Sequence, residues 1–260
     1  MTIADQAEAN FQHHIANNSY PGRGSVVGRS ALDDGWLMIY WIMGRSENSR
    51  NRRFVVDGPT LRTEPADRSK LEDPSLIIYE AMLELPLTGI YLVSNGDQTR
   101  TLYETLQSRG SFDQAMTRRE REPDAPHYTP RISGMLQLGA SPAPITLSIL
   151  RANAADPMQT DRTTFRPAPP PPGLGYCLTT YQCDGSPLPA FAGDPLLVPC
   201  GGSAEDVLKT YWDGLDRDNR ISLAVKYVAA PGQSGRVVVI NRHGAKPGSK
   251  VTYSPAAKVR

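Results

Sequence analysis

Ten consecutive residues, Gly44-Arg45-Ser46-Glu47-Asn48-Ser49-Arg50-Asn51-Arg52-Arg53, hold four arginines among amide and hydroxyl side chains, directly after an apolar run. Guanidinium groups present forked N–H donors that match phosphate oxygens in pairs, so this segment can grip a phosphorylated ligand. A solvated basic loop is the competing reading, because surface arginines are common. A second polar cluster, Ser94-Asn95-Gly96-Asp97-Gln98-Thr99, lies where a strand pattern gives way to a helix pattern. Backbone N–H groups at such a junction bind anions and Gly96 permits close approach, although a capped turn fits equally well. Carboxylates and arginines gather again in Glu120-Arg121-Glu122-Pro123-Asp124 and Thr129-Pro130-Arg131. Cys183 leaves a strand pattern into a Gly/Pro turn; its thiol is a nucleophile by type, but no base is readable beside it.

Several chemistries find no support. Cys177, Cys183 and Cys200 lack zinc-ligand spacing, and His13, His14, His127 and His243 form no helical ligand pair, so no metal is expected. Neither a G-x-S-x-G elbow nor a Walker loop is present. Beyond residue 229 lie six basic residues and no acidic one, which leaves 27 acidic against 22 basic residues in the rest of the chain. A body of that sign does not favour a polyanion, so specific nucleic-acid binding is not expected. No apolar stretch approaches the ~20 residues that span a bilayer, which argues against a membrane protein. An odd cysteine count and an N-terminus without an apolar signal core point to the cytoplasm.

The elements that must position these side chains are mainly strands. Residues 24–29, the Asp33-Asp34-Gly35 turn signal and residues 36–43 read as an antiparallel hairpin. Further strands are expected over 54–56, 76–82, 90–93, 132–138, 145–150, 176–181, 221–228 and 237–240, in runs rich in Ile, Val and Tyr. Asp97 is placed to cap a helix running to Arg109, Ser111 and Gln114 have capping-box spacing before a second helix, and Ser203 opens a third. Five prolines within 167–172 make a stiff extended connection. Adjacent helices between blocks of strands predict an α+β fold with one or two largely antiparallel sheets. The expected organisation is an N-terminal arm or helix over 1–19, a domain over 20–229 and a basic extension over 230–260.

Several separated strings in fixed order are more specific than any single motif. Tyr20-Pro21-Gly22-Arg23-Gly24, the segment from Tyr40 to Arg52, the segment from Leu71 to Tyr79, Ser94-Asn95-Gly96-Asp97-Gln98-Thr99 and Thr129-Pro130-Arg131-Ile132 together resemble the archaeal-type IMP cyclohydrolase family and its bacterial relatives. The likeness runs over roughly residues 19 to 228. It implies a four-layer αββα sandwich like that of the N-terminal-nucleophile hydrolases. Autoprocessing is not implied, because Gly22, Arg23 and Gly24 cannot supply the nucleophile. It also implies closure of the purine ring of a formamidoimidazole carboxamide ribonucleotide without a cofactor. By match to the family's motifs, Glu122, Tyr79 and Arg52 would be catalytic. Arg23, Arg45, Arg50, Asn51, Asn95, Asp97, Arg131, Tyr181 and Cys183 would contact substrate. Arg100 departs from the pattern by reversing a charge, which keeps open the alternative of a nucleotide-binding sensor or subunit without turnover. The partner expected in either case is a small purine ribonucleotide, and the sequence leaves the oligomeric state open, a homo-oligomer included.

Overall fold

The structure is a computed structural model that describes residues 1–71, 74, 77–139 and 144–243. In chain order the elements are α1 (Ile3–Phe11, continued by a π-helical turn over Gln12–Ala16), β1 (Gly24–Arg29), β2 (Trp36–Met43), α2 (Glu47–Arg50), β3 (Arg53–Asp57), β4 (Thr60–Glu64), β5 (Glu80–Leu85), β6 (Ile90–Ser94), α3 (Gln98–Gln107), α4 (Phe112–Thr117), β7 (Arg131–Gln137), β8 (Ile145–Ala152), β9 (Thr160–Phe165), β10 (Leu174–Thr179), β11 (Leu196–Pro199), α5 (Ala204–Gly214), β12 (Arg220–Val228) and β13 (Arg236–Asn241). They form two antiparallel sheets, one ordered β11-β10-β1-β2-β12-β13 and the other β3-β4-β5-β6-β7-β8-β9. The expected combination of antiparallel sheets with few helices is what the chain adopts.

β2 shows why the sheets stack. All eight of its residues are buried, and strand geometry sends alternate side chains to opposite faces. Met38, Tyr40 and Ile42 meet Val93, Ile132 and Leu147 of the other sheet in the central core. Leu37, Ile39, Trp41 and Met43 pack instead with Phe11, Val207 and Tyr211, from α1 and α5. The second sheet repeats the scheme, with Tyr91 and Val93 facing inward and Ile90 and Leu92 covered by Leu102, Phe112 and Met116 of α3 and α4. An unbroken apolar run is therefore the signature of a strand covered on both faces, which antiparallel strands need not be.

The differences from the sequence expectations have local causes. The strand expected over 76–82 begins at Glu80, because Ile77 and Ile78 both donate to the Pro74 carbonyl in a turn, at 3.1 and 2.9 Å. Residues 72, 73, 75 and 76 of that motif lie outside the described residues. β4, β9 and β11 were not expected: β4 buries only alternate residues and β9 is a polar edge strand, so neither offers an apolar run to the eye. Residues 236–241 of the basic extension form β13 at the edge of the first sheet, and Arg236 pairs with Glu205 of α5 at 2.6 Å. Residues 244–260 lie outside the described residues.

Candidate active site

Register brings three chain segments to one end of the first sheet. Gly24 pairs with both Trp41 and Thr179, so the residues just before β1, just after β2 and just after β10 emerge side by side. The arginine-rich segment is the crossover from β2 in one sheet to β3 in the other, and Ser46 caps its single turn of helix. From the second sheet, the loop leading into β7 reaches the same end, tied there by Arg23 to Glu122 and by Thr129 to Tyr181. These segments enclose a cavity of about 220 Å³ lined by Arg23, Arg45 and Arg52, by Tyr20 and Tyr181, and by Asp124, His127 and Thr129. Gly22 makes the corner possible: its φ is +73°, and a Cβ there would lie 2.2 Å from Thr180 Oγ1 and 2.5 Å from the Tyr181 ring.

The electrostatic centre is an unequal group of charges. Arg23 Nη1 donates to both oxygens of Glu122, at 3.1 and 3.2 Å, and Glu122 is 2% exposed. Burial pushes the Glu122 carboxyl up, with the Arg23 and Arg131 cations pulling in the opposite direction. Arg52, also 2% exposed, has no ion pair among the described residues. Its guanidinium donates from Nε to Ser49 O (2.8 Å) and from Nη2 to Met43 O (3.3 Å). Burial and the neighbouring Arg23 lower its pKa. A buried cation held only by neutral carbonyls is costly, and here it borders an open cavity. The arrangement is suited to an incoming anion.

A phenol pair lies against these cations. Tyr40 and Tyr79 share a hydrogen bond of 2.7 Å between their hydroxyls, and each lies within electrostatic reach of Arg23 and Arg52. One shared bond uses one of the two phenolic protons, so the other is available to a third partner. Burial, reinforced by Tyr79, pushes the Tyr40 phenol up and keeps it protonated. In the cavity lining the Tyr20 ring stacks on Tyr181 at 6.0 Å, and the Arg45 guanidinium sits 5.0 Å from the Tyr20 centroid. Leu188 N–H donates to His127 Nδ1 at 3.2 Å, which places the proton of the neutral ring on Nε2.

Of the residues singled out in the sequence, Arg23, Arg45, Arg52 and Tyr181 line the cavity, while Glu122 is bonded to Arg23 and Tyr79 lies within electrostatic reach of Arg23 and Arg52. The others lie outside its lining, and all of them but Cys183 are engaged elsewhere. Arg50 donates to Gly44 O (3.0 Å) and Asn219, and Asn51 clasps the backbone of Asp67 through both amide atoms. Asn95 accepts from Ile132 N–H (2.8 Å) and donates to Pro130 O (2.9 Å). Asp97 occupies the cap position of α3 but makes no capping bond: its backbone is αR there rather than extended, and its Oδ1 is engaged by Arg131 (2.7 Å) and Arg119. Burial acts to raise the Asp97 pKa, but the two cations overcome it and hold the carboxyl below its usual range. Arg131 thus pairs with Asp97 rather than with Glu122. Cys183 is exposed. Arg100, which departs from the family pattern, pairs with Glu80 (Nε to Oε2, 2.8 Å) away from the cavity.

Sequence reasoning passed over Tyr40, Asp124, His127 and Thr129 as site residues. Each carries a polar group of the right type, but only the folded register shows that they converge. A larger hollow of about 510 Å³ over α3 and α4 is lined by residues such as Thr101, Glu104 and Arg118 and holds no buried ion pair, so it is the weaker candidate. Among the described residues no His, Cys, Asp or Glu group could hold a metal, and no helix is long and apolar enough to cross a membrane. Comparison with curated proteins finds no match to the chain. A family model described as IMP cyclohydrolase-like protein matches residues 20–232.

Proposed function

Because the chain belongs to the IMP cyclohydrolase-like family, we propose that it is an IMP cyclohydrolase, closing the ring of 5-formamidoimidazole-4-carboxamide ribonucleotide in purine biosynthesis. The observation that carries this reading is Arg52, a buried guanidinium beside Arg23 at the edge of a cavity, whose partners among the described residues are neutral carbonyls. It offers a place for the phosphate or the carboxamide oxygen of a nucleotide. The two helical faces over two stacked sheets agree with a four-layer αββα architecture related to the N-terminal-nucleophile hydrolases. The proposed setting is the cytoplasm.

The reaction is an intramolecular addition and dehydration. The carboxamide nitrogen attacks the formyl carbon, the new C–N bond closes the ring, that nitrogen gives up one of its two protons, and the formyl oxygen takes up a proton to become a hydroxyl. The hydroxyl takes a second proton and leaves as water while the former formamide nitrogen gives up its proton and forms the C=N bond. The two reacting groups are neighbours on one ring, so the enzyme's task is to fix their rotamers, stabilise the oxygen as it gains charge, and move protons. In this proposal Arg52 and Arg23 face the developing oxyanion or the phosphate. The free proton of the Tyr40–Tyr79 pair serves the formyl oxygen. Glu122 holds Arg23 in place and exchanges protons with the reacting nitrogen. The chemistry calls for no redox or group-carrying cofactor.

Purified protein supplied with the formamido ribonucleotide is expected to produce the IMP absorbance change faster than the uncatalysed blank; no acceleration would refute the proposal. Glu122→Gln should lower turnover by about two orders of magnitude or more with an unchanged far-UV circular dichroism spectrum. Because burial raises the Glu122 carboxyl, the wild-type rate should fall on the acid side at a pH above the ordinary glutamate value, as protonation releases Arg23. That limb should be absent from the residual rate of Glu122→Gln. Equal acid limbs in the two proteins would exclude Glu122 as its origin.

A further inference from the structure

Each polar group of the cavity meets a ligand as donor or acceptor according to what engages its other side. Thr129 has one hydroxyl proton, and it goes to Asp124 Oδ2, while Thr129 N–H donates to Asp124 Oδ1 at 2.7 Å. With that proton committed, the 2.6 Å contact between Thr129 Oγ1 and Tyr181 Oη is a bond donated by the phenol. Tyr181 is left with lone pairs alone to present to the cavity that it lines. Burial pushes the Tyr181 phenol up, so the proton on which this direction depends is retained. The arginines of the cavity are donors only, His127 carries its proton on Nε2, and each oxygen of the lining Asp124 carboxylate already accepts from Thr129.

We infer that Tyr181 is the specificity-determining acceptor of the cavity, reading an N–H or O–H donor of the bound nucleotide, and that Asp124, acting through Thr129, is the positioning residue that sets this polarity. The inference rests on the nucleotide reading and extends it: the arginines select the anion, and Tyr181 selects a ligand that carries a proton at a second point. That proton can come from the heterocycle or from a ribose hydroxyl, and both sources present the same chemistry to the phenol.

The test is calorimetric titration with IMP, its 2′-deoxy and 3′-deoxy forms, and the purine ribonucleoside monophosphate that lacks the N1 proton. Wild type should bind IMP and bind the analogue missing the relevant donor about tenfold more weakly, the worth of one hydrogen bond in a desolvated site. In Asp124→Asn the side-chain oxygen can still accept from Thr129 N–H, while its amide donates to Thr129 Oγ1. The chain then reverses and Tyr181 offers a proton, so the tenfold preference should vanish or invert. Thr129→Val should abolish the preference with Tyr181 still present, and Thr129→Ser should restore it; these two variants carry the test if Asp124→Asn does not fold. A purely structural role would weaken all four ligands by one common factor. The inference is overturned if Asp124→Asn and Thr129→Val discriminate as wild type does, or if wild type binds all four alike. Failure of wild type to bind IMP would instead remove the nucleotide reading, and the inference with it.

Discussion

Arg52→Met is expected to bind IMP on the order of 10²- to 10³-fold more weakly than wild type while unfolding at the same temperature or a higher one. The two halves of this result come from one feature. Arg52 is 2% exposed and lies beside Arg23, and among the described residues its guanidinium is held by the carbonyls of Ser49 and Met43 rather than by a carboxylate. In the unliganded protein it is therefore a buried charge whose desolvation is incompletely offset, and methionine fills similar volume without that cost. Two carbonyls lose a donor, which costs about 1 kcal/mol each and limits the gain. In the complex the same charge meets an anion in a low-dielectric setting, where its loss is severe. Thermal shift measures both: added IMP should raise the melting temperature of wild type and leave that of Arg52→Met unmoved. Inosine, which lacks the phosphate, separates the two assignments of Arg52. If the phosphate is its target, the variant should lose little affinity for inosine; if the heterocycle oxygen is its target, the losses should match. An Arg52→Met protein that binds IMP normally would remove the central observation behind the proposed function.

How much of this was legible in the sequence depends on the range of the interactions involved. β2, the capping box at Ser111 and the helix start at Ser203 are local, since apolar continuity, a three-residue spacing or a capping residue type suffices to specify them; the Ser111 box forms as its spacing predicts, and Ser203, expected only to open a helix, also closes a box with Asp206. β4 and β9 were hidden because their strand character depends on neighbours: Leu61 is buried in the core between the sheets and Thr63 against Ile77 and Tyr79, while β9 has almost no apolar side chain to reveal it. The arginine-rich segment illustrates the same limit within the site. Composition marks Arg45, Arg50 and Arg52 alike, but Arg50 is turned to Gly44 and Asn219, Arg45 to Asp184 and the Tyr20 ring, and Arg52 alone of these three is buried beside Arg23. Asp97 was readable as a helix cap, but a capping side chain needs an extended backbone at that residue, and Asp97 is αR there with one carboxylate oxygen turned to two guanidinium groups that only the fold delivers. The Asp124–Thr129–Tyr181 chain joins residues 52 positions apart at its longest step, and no motif spacing encodes it.

Lys226→Met is expected to cost about 3–5 kcal/mol of folding stability, with Glu84→Leu in the same chain returning most of the loss. Lys226 Nζ lies 2.7 Å from Glu84 Oε2, and each side chain is 1% exposed. The ammonium also donates to Pro59 O at 2.7 Å, and Gly235 N–H donates to the same carboxylate oxygen at 3.2 Å. β12 carries the lysine and β5 the glutamate, so the pair bridges the two sheets through the central core. Lys226 pairs in register with Met38, whereas Met43 ends β2 at the cavity, so the bridge lies some five residues, roughly 16 Å, farther along the strands. Burial lowers the Lys226 pKa and the Glu84 charge opposes that shift, so each ion is tolerated because of the other. Removing the cation alone leaves a carboxylate in an apolar core with Oε1 already lacking a hydrogen-bond partner. Removing both replaces the desolvated charges by aliphatic contacts, which is why the double variant should recover. In a chain of this size the single variant should melt roughly 10 °C lower, with nucleotide binding retained at temperatures where it is folded, because no residue of the pair touches the cavity. If Lys226→Met unfolds with wild-type stability, the pair does not fasten the sheets; if the double variant is no better than the single, packing around Lys226 rather than its charge is what the core depends on.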